Sequence, residues 1–404
     1  MTATVATSLF WILLIAVLAP LIAGLIPGKR IPEVVILLVG GILIGPHVLD
    51  FATDGSAIDL LRELGLGLLF LLAGYEIKTS EVVGKEGRRA LYTWICCLVL
   101  AFAVTFGIGM TTLVTAESAV AIAMCSTALG TLLPILRDTG MLNRRLGQTV
   151  LNHGAFGELG PVIAMAVLLG ARGSLKSAIV LAVFAIAAVA VWLLTEKLLQ
   201  RQRWLMTLVS AGSHTTAQTT VRITMLLLVG LMALAYAFDL DTILGAFAAG
   251  FILRRILPDG DEIFEHKLDG LAFGLLIPIF FITSGMAIDV SAVAGKPELL
   301  VAFILMILIV RGLPVFISTR WDRGNSGHEP PFTTGERAQI ALYSATGLPI
   351  IVAVTGVAVS AGHMSEGNAS VLVTAGALTV LLLPLAATMI GSRAGKTDAD
   401  QPTA

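Results

Sequence analysis

Two residues in this sequence carry charge where charge is hardest to keep. Glu158 lies near the middle of LNHGAFGELGPVIAMAVLL (151–169), and Arg311 lies well inside FILMILIVRGLPVFI (303–317). A charged side chain at the centre of an apolar span costs roughly 2.5–3.5 kcal/mol even on the gentler insertion scales. Membrane chains keep such a residue where it faces a cavity or a partner. A carboxylate and a guanidinium offset part of each other's burial cost. A carboxylate balanced in that way can hold a proton and a monovalent cation in turn. Hydroxyl and carbonyl oxygens would complete the ligand set that a hard cation prefers. Ser126, Thr127 and Thr131 offer such oxygens. Helix rotation decides whether Glu158 and Arg311 touch. His153, five residues before Glu158, lies about 140° away around a helix, which favours a packing or loop-facing role over a proton relay.

The elements that must position these residues are apolar helices. Of 404 residues, 56% are hydrophobic and 13% are charged, against about 25% charged in a soluble domain. The mean hydropathy is +0.92. These values indicate a polytopic membrane protein in the lipid bilayer. The net charge of −1 gives no basic excess to suggest nucleic acid. The three cysteines, Cys96, Cys97 and Cys125, fall in apolar segments and read as packing residues rather than a disulfide framework or metal site.

Thirteen apolar segments are long enough to span, at 8–26, 33–49, 60–78, 90–113, 116–136, 148–170, 175–198, 221–238, 241–256, 268–288, 298–318, 336–358 and 368–391. The stretch 200–220 reads as an interfacial connector. The loop 320–335 and the tail after Ile390 read as solvated. With the N-terminus outside, the loop lysines and arginines fall almost entirely on the cytoplasmic side, Arg172, Lys176 and Lys296 excepted, as the positive-inside rule requires.

Two segments share a pattern of helix breakers. One is Ser126-Thr127-Ala128-Leu129-Gly130-Thr131-Leu132-Leu133-Pro134, and the other is Ser344-Ala345-Thr346-Gly347-Leu348-Pro349. They lie seven spans apart, an odd offset that fits an inverted repeat. Paired discontinuous helices point to a transporter binding site.

GGILIGP (40–46), LGLGLLFLLAGYEI (64–77), CSTALGTLLPILRDTGMLN (125–143), LDTILGAFAAGFILRR (240–255), GLLIPIFFITSGMAID (274–289) and RGLP (311–314) together resemble the monovalent cation/proton antiporter superfamily, in the branch of potassium-efflux antiporters and bacterial sodium/proton exchangers. The resemblance runs from about Ile31 to Ile390. It implies an all-α membrane protein of about thirteen transmembrane helices, with an inverted-repeat sodium/proton-antiporter fold and two broken, crossing helices.

The resemblance further implies one membrane domain over 1–391. Core helices at about 90–170 and 298–391 would move against scaffold and dimer helices at about 8–78 and 175–288, with a short polar cytoplasmic tail at 392–404. The expected function is exchange of Na⁺ or K⁺ for protons by a homodimer in the cell membrane, without a cofactor and without enzymatic chemistry. Glu158 is placed at the ion-binding position, with Ser126, Thr127 and Thr131 as further ligands and Arg311 as charge partner. Gly130, Pro134, Thr346, Gly347 and Pro349 are the expected helix breaks. This chain departs from the usual pattern in having Glu158 rather than Asp, preceded by Gly157 rather than a polar residue. A single carboxylate implies electroneutral exchange. The rival readings are a sodium-coupled symporter of a small organic anion, a channel and an intramembrane enzyme. The single deep carboxylate disfavours the first, and the last lacks a paired aspartate or serine–histidine set.

Overall fold

A computed structural model describes residues 3–25, 31–76, 84–109, 116–138, 140–142, 144–169, 174–201, 218–257, 262–323 and 330–399. The interfacial connector expected at 200–220 falls mostly outside these residues. Every regular element among them is helical. The first nine helices are α1 (Ala3–Leu25), α2 (Glu33–Ile44), α3 (Ser56–Glu76), α4 (Lys85–Gly109), α5 (Glu117–Met124), α6 (Leu129–Asp138), α7 (Arg145–Leu168), α8 (Ser174–Arg201) and α9 (Thr219–Ala237). There follow α10 (Thr242–Ile256), α11 (Glu262–Leu271), α12 (Ile277–Met286), α13 (Val290–Ala294), α14 (Pro297–Ile307), α15 (Leu313–Ser318), α16 (Thr334–Ser344), α17 (Leu348–Ser360) and α18 (Glu366–Ala399). Wide π turns join α11 to α12 at Ala272–Leu276 and α14 to α15 at Leu308–Gly312.

Among the described residues, eight helical segments are long and apolar enough to cross a membrane, and shorter apolar stretches cover Glu33–Ile44, Glu117–Leu132 and Ile179–Leu193. Their exposure separates two kinds. Leu21 and Leu25 on α1 and Leu226 and Tyr236 on α9 leave apolar surface open, as a lipid-facing helix does. The apolar stretches of α7 and of α16 and α17 are mostly buried.

The chain divides into two compact units. The first comprises Met1–Thr53, Thr79–Pro161 and Phe281–Ala404, and the second Asp54–Lys78 and Val162–Phe280. The second unit is built on close backbone approach between α3 and α10. A Cβ on Gly250 would strike the Leu71 carbonyl, and one on Gly74 the Phe247 carbonyl. Small residues of this kind let membrane helices pack backbone to backbone. Asp241 caps α10 by accepting from the Ile243 amide at 2.9 Å, and the Tyr75 hydroxyl donates to Glu265 at 2.7 Å. Two stretches that stand out in the sequence, 64–77 and 240–255, therefore include this packing pair.

In the first unit the helix breaks fall at 125–128 and 345–347. Thr346 and Gly347 lie in the second break, and Pro349 is the second residue of α17, where a missing N–H has no helical partner to lose. The first break does not follow its expected residues. Gly130 and Pro134 lie inside α6, and the chain leaves the helix before them. The reason is competition for backbone partners. The Thr127 amide donates to the Gly157 carbonyl at 2.9 Å and the Ala128 amide to the Thr346 carbonyl at 2.6 Å, so neither continues the α5 ladder.

Two further expectations are corrected. The last helix runs further than its expected end at 391, since α18 continues to Ala399. The loop from 320 is not solvated throughout, because Asp322 is buried. Its far end is ordered by a capping box on α16, in which Thr333 and Glu336 exchange side-chain and backbone hydrogen bonds.

Replacing Gly250 by Val is expected to lower stability by about 1–3 kcal/mol through overpacking against α3. Replacing Gly230, which has nothing within 4 Å of its Cβ direction, by Ala is expected to be nearly neutral. Thermal unfolding in detergent compares the two, and equal melting points would remove the close approach from the account.

Candidate functional site

The site forms where the two breaks meet. Unwound backbone inside an apolar environment must find partners for its amides and carbonyls. Here each break supplies partners for the other. The Ala128 amide meets the Thr346 carbonyl, and the Ser126 hydroxyl, bonded to Ala123 O at 2.6 Å, lies 3.3 Å from Gly347 O. The Thr127 hydroxyl donates to the carbonyl of Ser344, the last residue of α16. A side chain at Gly347 would collide with Ser126, which explains the glycine there. Helix α7 closes the arrangement through the Thr127–Gly157 backbone bond. A Cβ at Gly157 would strike both the Thr127 side chain and the Arg311 guanidinium.

Glu158 follows directly, 4% exposed. Its Oε1 accepts from the Leu129 amide at 2.6 Å. Leu129 is the first residue of α6, so the carboxylate rests on a helix N-terminus, where free amides and the helix dipole favour an anion. Oε2 is buried and has no hydrogen-bond partner among the described residues. Such an orphaned acceptor calls for an explanation. An acceptor so placed is able to take a proton or to face a cation.

Arg311 is fully buried and sits in the π turn at Leu308–Gly312, a feature that often marks functional positions. Its Nη2 donates to the His153 carbonyl at 2.6 Å and its Nε to the Thr127 hydroxyl at 3.0 Å. Nε also lies 3.4 Å from Ser344 O and Nη1 3.7 Å from Cys97 Sγ. Arg311 and Glu158 form no direct ion pair. The cation is taken up by carbonyl oxygens, one of them at the C-terminal, negative end of α16, and the anion by the amide end of α6.

The remaining residues singled out in the sequence divide. Ser126, Thr127 and Thr131 all lie at or beside the first break. Each commits its hydroxyl proton to a backbone carbonyl, Thr131 to Ala128 O at 3.1 Å. Thr127 also accepts from Arg311, so its hydroxyl is a bridge between the break and the guanidinium. The Thr346 hydroxyl returns to Tyr343 O at 2.8 Å. The backbone roles of Leu129, Gly157 and His153 have no side-chain signal in the sequence. Cys97 contacts Arg311 as well as packing, and the apolar run around it gives no sign of this. Among the described residues no three His, Cys, Asp or Glu side chains gather into a metal cluster.

Comparison with known proteins gives a consistent picture. The family described as sodium/hydrogen exchanger, transmembrane, matches residues 13–392. A Bacillus subtilis protein that carries the name Na(+)/H(+) antiporter YjbQ is 24% identical over 339 residues, covering 80% of this chain and 54% of its own length. The Bacillus cereus Na(+)/H(+)-K(+) antiporter GerN is 23% identical over 361 residues, covering 87% of this chain and 88% of its own. The chain thus spans about half of the first relative and most of the second. The structure of the sodium proton antiporter MjNhaP1 from Methanocaldococcus jannaschii shares the fold, with a TM-score of 0.61 and 18% identity, over 94% of this chain and 98% of that one.

Thr127→Val keeps the shape of the side chain but leaves Ser344 O and Arg311 Nε without their shared partner. It is expected to cost about 1–3 kcal/mol, and Thr127→Ser clearly less. Thermal unfolding of the two variants side by side checks this, and equal losses would show that the methyl group, not the hydroxyl, matters.

Proposed function

The chain belongs to the sodium/hydrogen exchanger transmembrane family, and on that premise we propose that it exchanges Na⁺ or K⁺ for protons by alternating access, with Glu158 holding each in turn. The observation that carries this reading is the divided carboxylate. Oε1 is fixed by the α6 N-terminus, and Oε2 is buried and open. A fixed carboxylate with one free oxygen can take a proton or coordinate a dehydrated cation without rearranging the two breaks. Ser126, Thr127 and Thr131, with the carbonyls of the first break, are the further oxygen ligands.

Arg311 acts as charge partner at one remove. It holds the two breaks through Thr127 and Ser344. With one titrating carboxylate and one fixed cation, each cycle exchanges one proton for one monovalent cation and moves no net charge. The transporting unit is a homodimer of thirteen-span protomers in the cell membrane, N-terminus outside and C-terminus cytoplasmic. Core helices at about 90–170 and 298–391 move against scaffold helices at about 8–78 and 175–288. The single membrane domain over 1–391 carries out the whole cycle.

The test is proton flux in proteoliposomes that hold a pH gradient, with Na⁺, K⁺ and Li⁺ added in turn. Cation-evoked dissipation is expected in the wild type and is expected to vanish in Glu158→Gln. Glu158→Asp, one methylene short of the Leu129 amide, is expected to raise the apparent KM for the cation about tenfold, the loss of roughly 1.4 kcal/mol. Full activity of Glu158→Gln would move the ion site elsewhere. A change of membrane potential coupled to exchange would contradict one-for-one stoichiometry.

A further inference from the structure

The loop that follows the Arg311 helix begins with a buried charge. The Asp322 side chain is 3% exposed, with Oδ2 2.7 Å from Arg89 Nη1 and Oδ1 3.0 Å from Arg145 Nη2. Arg89 lies in the second turn of α4, and Arg145 is the first residue of α7. Both arginines also grip the backbone around Asp322. Arg89 Nη2 donates to Trp321 O at 3.2 Å, and Arg145 donates to Asp322 O at 2.8 Å and Pro330 O at 2.6 Å. The Arg145 guanidinium lies 4.1 Å above the Phe332 ring. One carboxylate therefore ties the starts of α4 and α7 to the end of the helix that carries Arg311.

The same three helices meet again at the site. Arg311 contacts His153 on α7 and Cys97 on α4. Eleven residues separate Arg311 from Asp322, about 16 Å along a helix, and eight separate Arg145 from His153, about 12 Å. The helices are thus fastened at two heights. A single fastening leaves rotation and sliding free, whereas two fix both. Local stability does not explain the choice of residues. A cation at the first residue of α7 opposes the helix dipole, and a buried carboxylate is costly without partners.

We propose that Asp322 is a positioning residue for Arg311: by clamping Arg89 and Arg145 it fixes the register of the Arg311 helix against α4 and α7, and so holds the guanidinium on the His153 carbonyl and the Thr127 hydroxyl. The proposal rests on the reading of Glu158 and Arg311 as parts of the ion site, and it is tested by a readout that does not need transport.

Cys97 supplies that readout, because its thiol is fully buried against Arg311. In a Cys96→Ser background of the full chain in detergent, the rate of N-ethylmaleimide addition at Cys97 is followed by peptide mass spectrometry. Asp322→Asn is expected to speed addition about tenfold by raising the open population. In proteoliposomes it is expected to raise the apparent KM for the transported cation about fivefold, with a smaller change in kcat. Asp322→Glu is expected to restore both. Arg89→Gln, which removes one ion pair and leaves the other, is expected to fall between them and carries the test if Asp322→Asn does not fold. A lower melting point with unchanged Cys97 reactivity and unchanged KM would reduce Asp322 to a loop anchor and overturn the proposal. Absence of cation–proton exchange in the wild type would instead defeat the reading of the site, while the Cys97 rates would still decide the clamp.

Discussion

The structure depends on how two stretches of unwound backbone are satisfied in an apolar interior. A helix that stops at mid-depth leaves amides on one side and carbonyls on the other, and lipid offers neither a partner. Here the two interruptions bond to each other, and α7 completes the set. The Ala128–Thr346 and Thr127–Gly157 bonds are therefore structural requirements before they are features of a site. They also create what the site uses, namely helix ends pointing into the protein.

Those ends determine where charge can be kept. Glu158 lies on the amide end of α6, and Arg311 on carbonyls that include the end of α16. Each buried charge has a counterpart that is part of the backbone and cannot titrate. This differs from a salt bridge, in which protonating the acid would strand the base. Glu158 can change its protonation state while the guanidinium keeps all its partners. The exchange proposed for Glu158, proton for cation, needs that independence.

Glu158 and Arg311 were legible in the sequence because charge is costly in an apolar run, so their presence is informative without any structure. The second break was legible too, because Thr346, Gly347 and Pro349 are local disruptors that act where they stand. The first break was legible as a segment, Ser126 to Pro134, but not in its exact position, which is set by acceptors from α7 and from 345–347 rather than by Gly130 or Pro134. The direct partners of Glu158 and Arg311 are mostly backbone atoms, and a residue's type says little about where its carbonyl points. Asp322 was hidden for a different reason. A polar loop with Gly, Asn and Pro has the composition of a solvated one, and only the approach of Arg89 and Arg145 from distant helices makes its first acid a core residue.

The π turn at Leu308–Gly312 has a consequence for heredity as well as for geometry. A π turn is an α-helix carrying one residue too many, so it arises and disappears by a change of length, not by substitution. Deleting one residue there would restore α geometry and leave the segments on either side facing nearly as before, because the wider turn takes up the extra residue locally. A change of one in the residue count is therefore taken up within the turn that holds Arg311. Two homologous chains that differ by one residue of spacing there would present the same faces on both sides of the turn and different side-chain positions within it. Aligning them by residue identity alone would equate side chains that occupy different space.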